Sequence, residues 1–312
     1  MNSIHRVAIV GAGTMGNGIA QVCAQSGKSV VLVDPYYDAL ELAREKIEKN
    51  VELLIANGML AEGIGMEVLR GIEFTQKMEV AADAEIVIEA IPEQFHLKQK
   101  LFAKLSDICS QDCIFASNTS GTPITQIAGM ATHPERVLGT HFFQPAHLIP
   151  LVEIIQTEYT DETVIEKTVD FITSIGKTPA RVKRDIPGFV ANRLQHALAR
   201  EAMSLVQKGI VSSEDLDTIV KESFALRMIF TGPIQQRDMN GLDTHIFVNE
   251  YLYPDLEDTK EPLAIIKNKV AADELGVKTG KGFYDWAGQS PVEVYNTKNQ
   301  ELVSLLKFLK KQ

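Results

Sequence analysis

Apolar residues keep two rhythms over roughly the first half of the chain. Short unbroken runs, Val7-Ala8-Ile9-Val10, Val30-Val31-Leu32-Val33, Ile86-Val87-Ile88 and Ile114-Phe115-Ala116, read as strands covered on both faces. Between them the spacing changes to three and four. Leu40, Ala43, Ile47, Val51 and Leu54 predict a helix over residues 36–57, ended by Asn57-Gly58, and residues 95–108 predict another. A shorter helix is expected over 62–70 and a short strand over 71–75. Further strands are expected over 137–142, 151–155 and near 180–182, with a helix opened by Asp161 or Thr163 and closed by Gly176. Such βαβ alternation builds a largely parallel sheet with helices on both sides.

Strand-like runs stop at Asp185-Ile186-Pro187-Gly188. Residues 189–208 are helical in period, Ser212-Ser213-Glu214-Asp215 caps a further helix, and Gly232-Pro233 and Pro254 separate others. The chain is therefore expected to hold an α/β domain with an extended sheet over residues 1–186 and an all-helical domain over residues 187–312.

The first strand runs straight into Gly11-Ala12-Gly13-Thr14-Met15-Gly16, and a helical pattern follows. In that context Gly11 allows a tight turn, Gly13 lets the backbone approach a pyrophosphate, and Gly16 lets the helix pack on its strand. The N–H groups at the helix start, around Thr14 and Met15, face the ligand. Asp34 ends the second strand, where a carboxylate hydrogen-bonds ribose hydroxyls and repels a 2′-phosphate. The α/β domain is thus expected to be a Rossmann domain that binds NAD rather than NADP.

Charge narrows the partners. With 31 Lys and Arg against 41 Asp and Glu the net charge is −10, which disfavours nucleic acid and anionic membrane. No apolar run is long enough to cross a bilayer, and Cys23, Cys109 and Cys113 are odd in number without metal-ligand spacing. A cytoplasmic protein without a metal, acting on a small molecule, is expected.

Four elements lie where ligands bind in such folds, beyond the carboxyl ends of the strands. Ser117-Asn118-Thr119-Ser120 follows the fifth strand, and on local sequence alone it reads as a plain turn or helix cap. His141 ends the sixth strand. Glu153 is an acid inside the apolar run Leu151-Val152-Glu153-Ile154-Ile155, where burial is costly without a partner such as His141. Asn192 opens the helical domain and is, taken singly, a surface amide.

Taken together, GAGTMG, Asp34, SNTS, HFFQP, LVE and PGFVANR resemble the L-3-hydroxyacyl-CoA dehydrogenases in order and nearly in spacing. The similarity runs over almost the whole chain, to Lys278-Thr279-Gly280-Lys281-Gly282-Phe283-Tyr284. The resemblance implies a Rossmann domain followed by a helical dimerisation domain, and NAD-dependent oxidation of an L-3-hydroxyacyl-CoA of the 3-hydroxybutyryl type to the 3-ketoacyl-CoA. It makes His141 the general base, Glu153 its orienting partner, and Ser120 and Asn192 the polar groups around the reacting oxygen. Glu93, Lys98, Ser120 and Lys278 fall on the family's cofactor contacts, and Gln144 stands beside the nicotinamide where the family usually has Asn. A homodimer is implied as well.

Three departures concern the substrate. Ala146-His147-Leu148-Ile149 replaces a proline-richer loop, and residues 224–231 replace a tyrosine-proline-methionine run. Residues 51–69 contain no Lys or Arg, where the family usually carries lysines for the CoA phosphates. These changes resemble relatives that act on small free hydroxy acids or alcohols such as L-carnitine, L-gulonate or pyridine carboxylates, and Arg227 is then a candidate carboxylate anchor. A non-catalytic, crystallin-like NAD-binding protein is a further alternative.

Overall fold

The computed structural model describes residues 3–309. Eight strands form one sheet: β1 (Arg6–Val10), β2 (Ser29–Val33), β3 (Ile72–Thr75), β4 (Ile86–Glu89), β5 (Ile114–Ser117), β6 (Val137–Phe142), β7 (Leu151–Ile155) and β8 (Thr178–Val182). Their order is β3-β2-β1-β4-β5-β6-β7-β8, so the direction of winding reverses between β1 and β4. Every neighbouring pair is parallel except β6 and β7. Residues 143–150, which join those two strands, are too few for the crossover of about a dozen residues that a parallel neighbour needs.

Helices α1 (Thr14–Gln25), α2 (Tyr37–Ala56), α3 (Ile64–Arg70), α4 (Phe95–Ile108), α5 (Ile124–Ala128) and α6 (Glu162–Ser174) surround the sheet. Alternate residues of one strand serve opposite faces. Val7 and Ile9 pack with Ile19 and Cys23 of α1, Leu40 and Ile47 of α2, and Phe171 of α6. Ala8 and Val10 pack on the other side with Phe102 and Leu105 of α4 and Ile127 of α5. This double burial is why the strands read as unbroken apolar runs.

The remaining helices are α7 (Ala191–Gln207), α8 (Ser213–Val220), α9 (Leu226–Met228), α10 (Pro233–Asn240), α11 (Leu242–Leu252), α12 (Ala264–Ala271) and α13 (Pro291–Leu309). Contacts divide the chain into two compact units: residues up to Asn192 with those from Gln300 onward, and Arg193–Asn299. The sequence pattern assigns residues 187–312 to the helical domain. The end of α13 groups with the α/β unit because Val303 is buried with Leu54 and Leu148.

In the second unit, Ser212 caps α8 by accepting from the Asp215 N–H at 3.0 Å, as its sequence foretold. Two isolated antiparallel bridges, Gly276 with Lys281 and Lys281 with Asp285, are its only strand-like pairing among the described residues. Only Ser204, Leu263 and Gly282 of its described residues are buried. Large apolar side chains, among them Phe230, Ile234, Ile246, Phe247 and Tyr251, are exposed. An apolar groove of about 470 Å³ runs between α7 and α8, with Phe283, Tyr284 and Trp286 on its wall. Among the described residues no helix is long and apolar enough to cross a membrane.

Candidate active site

The glycine loop sits where the sheet order reverses. Gly11 has φ +106°, and a Cβ there would lie 2.5 Å from the Ala90 carbonyl oxygen, so only glycine fits. A Cβ on Gly16 would lie 1.7 Å from the Gly11 carbonyl oxygen, whereas one on Gly13 would meet nothing within 4 Å. Helix α1 starts at Thr14 without a side-chain cap and without an acid in its first turn, leaving the positive end of its dipole open to an anion. Asp34, at the end of β2, accepts from the Ala12 N–H at 2.9 Å through one oxygen and from the Tyr36 N–H at 3.0 Å through the other. Each oxygen keeps a lone pair for a ribose hydroxyl. The cradle fits a dinucleotide.

Next to the loop, the carboxyl ends of β4 and β5 carry a buried polar network. Glu89 is fully buried; one of its oxygens accepts from Lys98 Nζ at 2.7 Å and from the Ile91 N–H at 2.9 Å, and the other from Ser117 Oγ at 2.6 Å. Lys98, equally buried, lies 3.2 Å from Glu93 as well. Glu93 in turn accepts from the hydroxyls of Thr119 and Thr122. Burial pushes the Glu89 carboxyl above its ordinary range, against the pull of Lys98 and Ser117. Partial burial raises the Glu93 carboxyl too, but the two threonines and Lys98 outweigh it and hold the group below that range.

Antiparallel pairing of β6 and β7 sets His141 directly opposite Glu153. Nδ1 of His141 lies 2.8 Å from one Glu153 oxygen, and the pair is 4% and 2% exposed. The other Glu153 oxygen accepts from the N–H groups of Val190 at 3.1 Å and Ala191 at 2.9 Å, the start of α7. Burial alone raises the Glu153 carboxyl. Hydrogen bonds from His141 and Ala191 prevail and hold it below its ordinary value. The rings of Phe143 and Phe189 flank the imidazole, at centroid distances of 4.4 and 5.5 Å. With Nδ1 engaged, Nε2 is the nitrogen left for a reacting group. Asn118 fixes this strand end by accepting from the Phe142 N–H at 2.9 Å.

Other expected residues are placed as follows. Ser120 is exposed, and its carbonyl accepts from the Asn192 amide at 3.0 Å, so the structure brings those two together. Thr14 and Gln144 are exposed, and Met15 packs against the core below the loop. Arg227 and Lys278 are exposed residues of the second unit, and among the described residues neither side chain hydrogen-bonds another expected site residue. Residues 143–150 are held in place: Lys177 Nζ donates to the carbonyls of Ala146 and Ile149, both at 2.7 Å. The His147 ring lies 3.5 Å from the Asn50 amide, which donates to Gln21. Burial, and then the charge of Lys177, push the His147 imidazole down to about 4.

Glu89, Asn118, Thr119 and Thr122 were not singled out in the sequence as individual site groups. One signal was present, an acid ending an apolar strand with a lysine one helix start later.

The family pattern described as 3-hydroxyacyl-CoA dehydrogenase, NAD binding domain, matches residues 6–186, and its C-terminal domain pattern matches residues 188–286. The chain belongs to the 3-hydroxyacyl-CoA dehydrogenase family. Members of this family are NAD-dependent oxidoreductases, and the glycine loop and Asp34 fit that cofactor. The 5-formyl-3-hydroxy-2-methylpyridine 4-carboxylate 5-dehydrogenase of Mesorhizobium japonicum is 34% identical, over 98% of both chains. A solved structure of a dehydrogenase of that name, described as an NAD+-dependent dismutase, has a TM-score of 0.91 at 34% identity over 98% of this chain and 99% of that one. The (S)-3-hydroxybutyryl-CoA dehydrogenase of Ralstonia eutropha is 36% identical with a TM-score of 0.77, over 91% of this chain and 100% of that one.

Proposed function

We propose that this family member transfers a hydride between NAD and the hydroxyl-bearing carbon of a small free acid, with His141 as general base. The buried His141–Glu153 pair carries the reading. When bound, NAD supplies the hydride acceptor. Glu153 accepts from Nδ1–H and so fixes the tautomer in which Nε2 has a free lone pair. As Nε2 takes the hydroxyl proton, the charge that forms on the ring lies beside a carboxylate already ionised. In the reverse direction Nε2–H donates. Ser120, Asn192 and Gln144 are proposed to orient the substrate oxygen and the nicotinamide, with Glu93, Lys98 and Lys278 as further cofactor contacts.

Two observations support a free acid. Residues 51–69 offer no base to a nucleotide phosphate, and the pyridine-carboxylate relative matches this chain nearly end to end. The second reading, an L-3-hydroxyacyl-CoA, is favoured by the hydroxybutyryl-CoA relative at 36% identity. The exposed apolar helices of the second unit support a homodimer, and the three buried free cysteines accord with a reducing cytoplasm. NADH absorbance, followed with 3-hydroxybutyryl-CoA, L-carnitine, L-gulonate and 5-formyl-3-hydroxy-2-methylpyridine 4-carboxylate, whose formyl carbon bears the hydroxyl once water has added to it, tests the assignment. The expected result is a free acid preferred in kcat/KM by more than about tenfold. A CoA ester preferred by that margin overturns it.

A further inference from the structure

We propose that Glu89 is a positioning residue for the cofactor: acting through Lys98, it sets Glu93 and the loop of residues 118–122 that carries Ser120. The proposal rests on the reading of Glu93, Lys98 and Ser120 as cofactor-side groups. Glu89 ends β4, whose four residues are all buried, and a carboxylate in such a place is costly unless donors surround it. Three donors do, each from a different segment. The Ile91 N–H comes from the chain after β4, Lys98 Nζ from α4, and Ser117 Oγ from the end of β5. The Glu89 carbonyl also accepts from the Asn118 N–H, at 2.8 Å.

From this buried anchor the contacts run outward. Lys98 Nζ is shared between Glu89 at 2.7 Å and Glu93 at 3.2 Å. The Glu93 side chain is half exposed, and it accepts from the hydroxyls of Thr119 and Thr122 and from the Thr122 N–H at 3.2 Å. It therefore bridges the loop across Ser120 and Gly121, both of which are exposed. On its other side the anchor meets the glycine loop, since the carbonyl that excludes a Cβ at Gly11 belongs to Ala90, the residue after Glu89. An ion pair kept for stability alone has no need of charge, because apolar side chains of similar size do as well in a buried site. What the charged pair supplies is direction: Nζ is held at a fixed point within reach of Glu93.

Glu89→Gln in the full chain tests the proposal, because it keeps the shape of the side chain while removing its charge and turning one accepting oxygen into a donor. The NADH dissociation constant, from fluorescence titration, is expected to rise about tenfold. Amide hydrogen exchange over residues 118–122 should quicken about tenfold, with β1 unchanged. Lys98→Met should weaken NADH binding as well, and adding Glu89→Gln to it should cost less than about twofold more. Lys104→Gln, which removes an exposed pair with Glu79 on the same helix, is the control and should change neither readout. Circular dichroism checks folding. If Glu89→Gln does not fold, Glu89→Asp, a methylene short of its donors, decides by the same readouts. A lower melting temperature with affinity and exchange both unchanged overturns the proposal. Faster exchange with unchanged NADH affinity overturns the role in cofactor binding, and an equal loss with and without Lys98 overturns the route through that lysine. Unchanged NADH affinity in both Lys98→Met and Glu93→Gln defeats the reading of the cofactor-side groups instead, and exchange over residues 118–122 still decides whether Glu89 sets the loop.

Discussion

Glu153 binds His141 through one oxygen and two backbone N–H groups through the other, so its position is set before any substrate arrives. Replacing His141 with Gln is expected to leave NADH affinity near normal, measured by fluorescence titration, and to lower turnover by roughly two to four orders of magnitude. For Asp34→Ala, NAD affinity should fall and the preference over NADP should narrow, because an acceptor for ribose and a repulsive charge vanish together. His147 gives a pH signature. Its ring titrates at about 4 in the folded chain against an ordinary 6.5, so folding opposes protonation. The stability it contributes is complete above about pH 6.5 and is lost as pH falls toward 4, to a limit of about 3 kcal/mol. Urea midpoints measured across that range should fall, and His147→Phe should flatten the fall; an equal slope in both proteins would refute it. His141 and Glu153 were legible in the sequence because an acid in an apolar strand demands a partner. Glu89 ends such a strand too, but its partners arrive from the next helix and the next strand, and only the fold shows them together.

At the scale of elements, apolar spacing sufficed where one element meets one surface: the expected bounds of α4, β6 and β7 coincide with those observed. The short helix between β5 and β6 was not foreseen. Helix α5 is a single turn or so of chain, too brief to show a period, and it is held by its tertiary contacts through Ile124 and Ile127. The direction of β7 was left open by the sequence pattern, although the length of residues 143–150 carries the information. The glycine loop separates structure from ligand binding. Gly16→Ala drives a methyl group into the Gly11 carbonyl and should destabilise the fold by about 1–3 kcal/mol in denaturant melts. Gly13→Ala meets open space, so the melt should hardly move while NAD affinity drops. Equal melting losses for the two would contradict this division.

For the whole molecule, the contrast between the two units is one of burial. The first has a core on each face of its sheet, while the described residues of the second bury only three side chains or backbone positions and expose aromatic and aliphatic groups along α10 and α11. Surface of that kind is expected to pair with a second copy, and light scattering at micromolar concentration should give a dimer. Neither an expected pairing of two copies nor the groove beside α7 is read from periodicity alone, since a helix that covers a partner and one that covers its own core share the same spacing.

The cross-strand pairing of His141 with Glu153 also bears on heat. The two side chains hang from facing rungs of a buried ladder, and no loop motion can part them while the rungs hold. Inactivation on warming should therefore follow the melting of the sheet itself, with the rate of NAD reduction and the far-ultraviolet strand signal fading at one temperature instead of in succession.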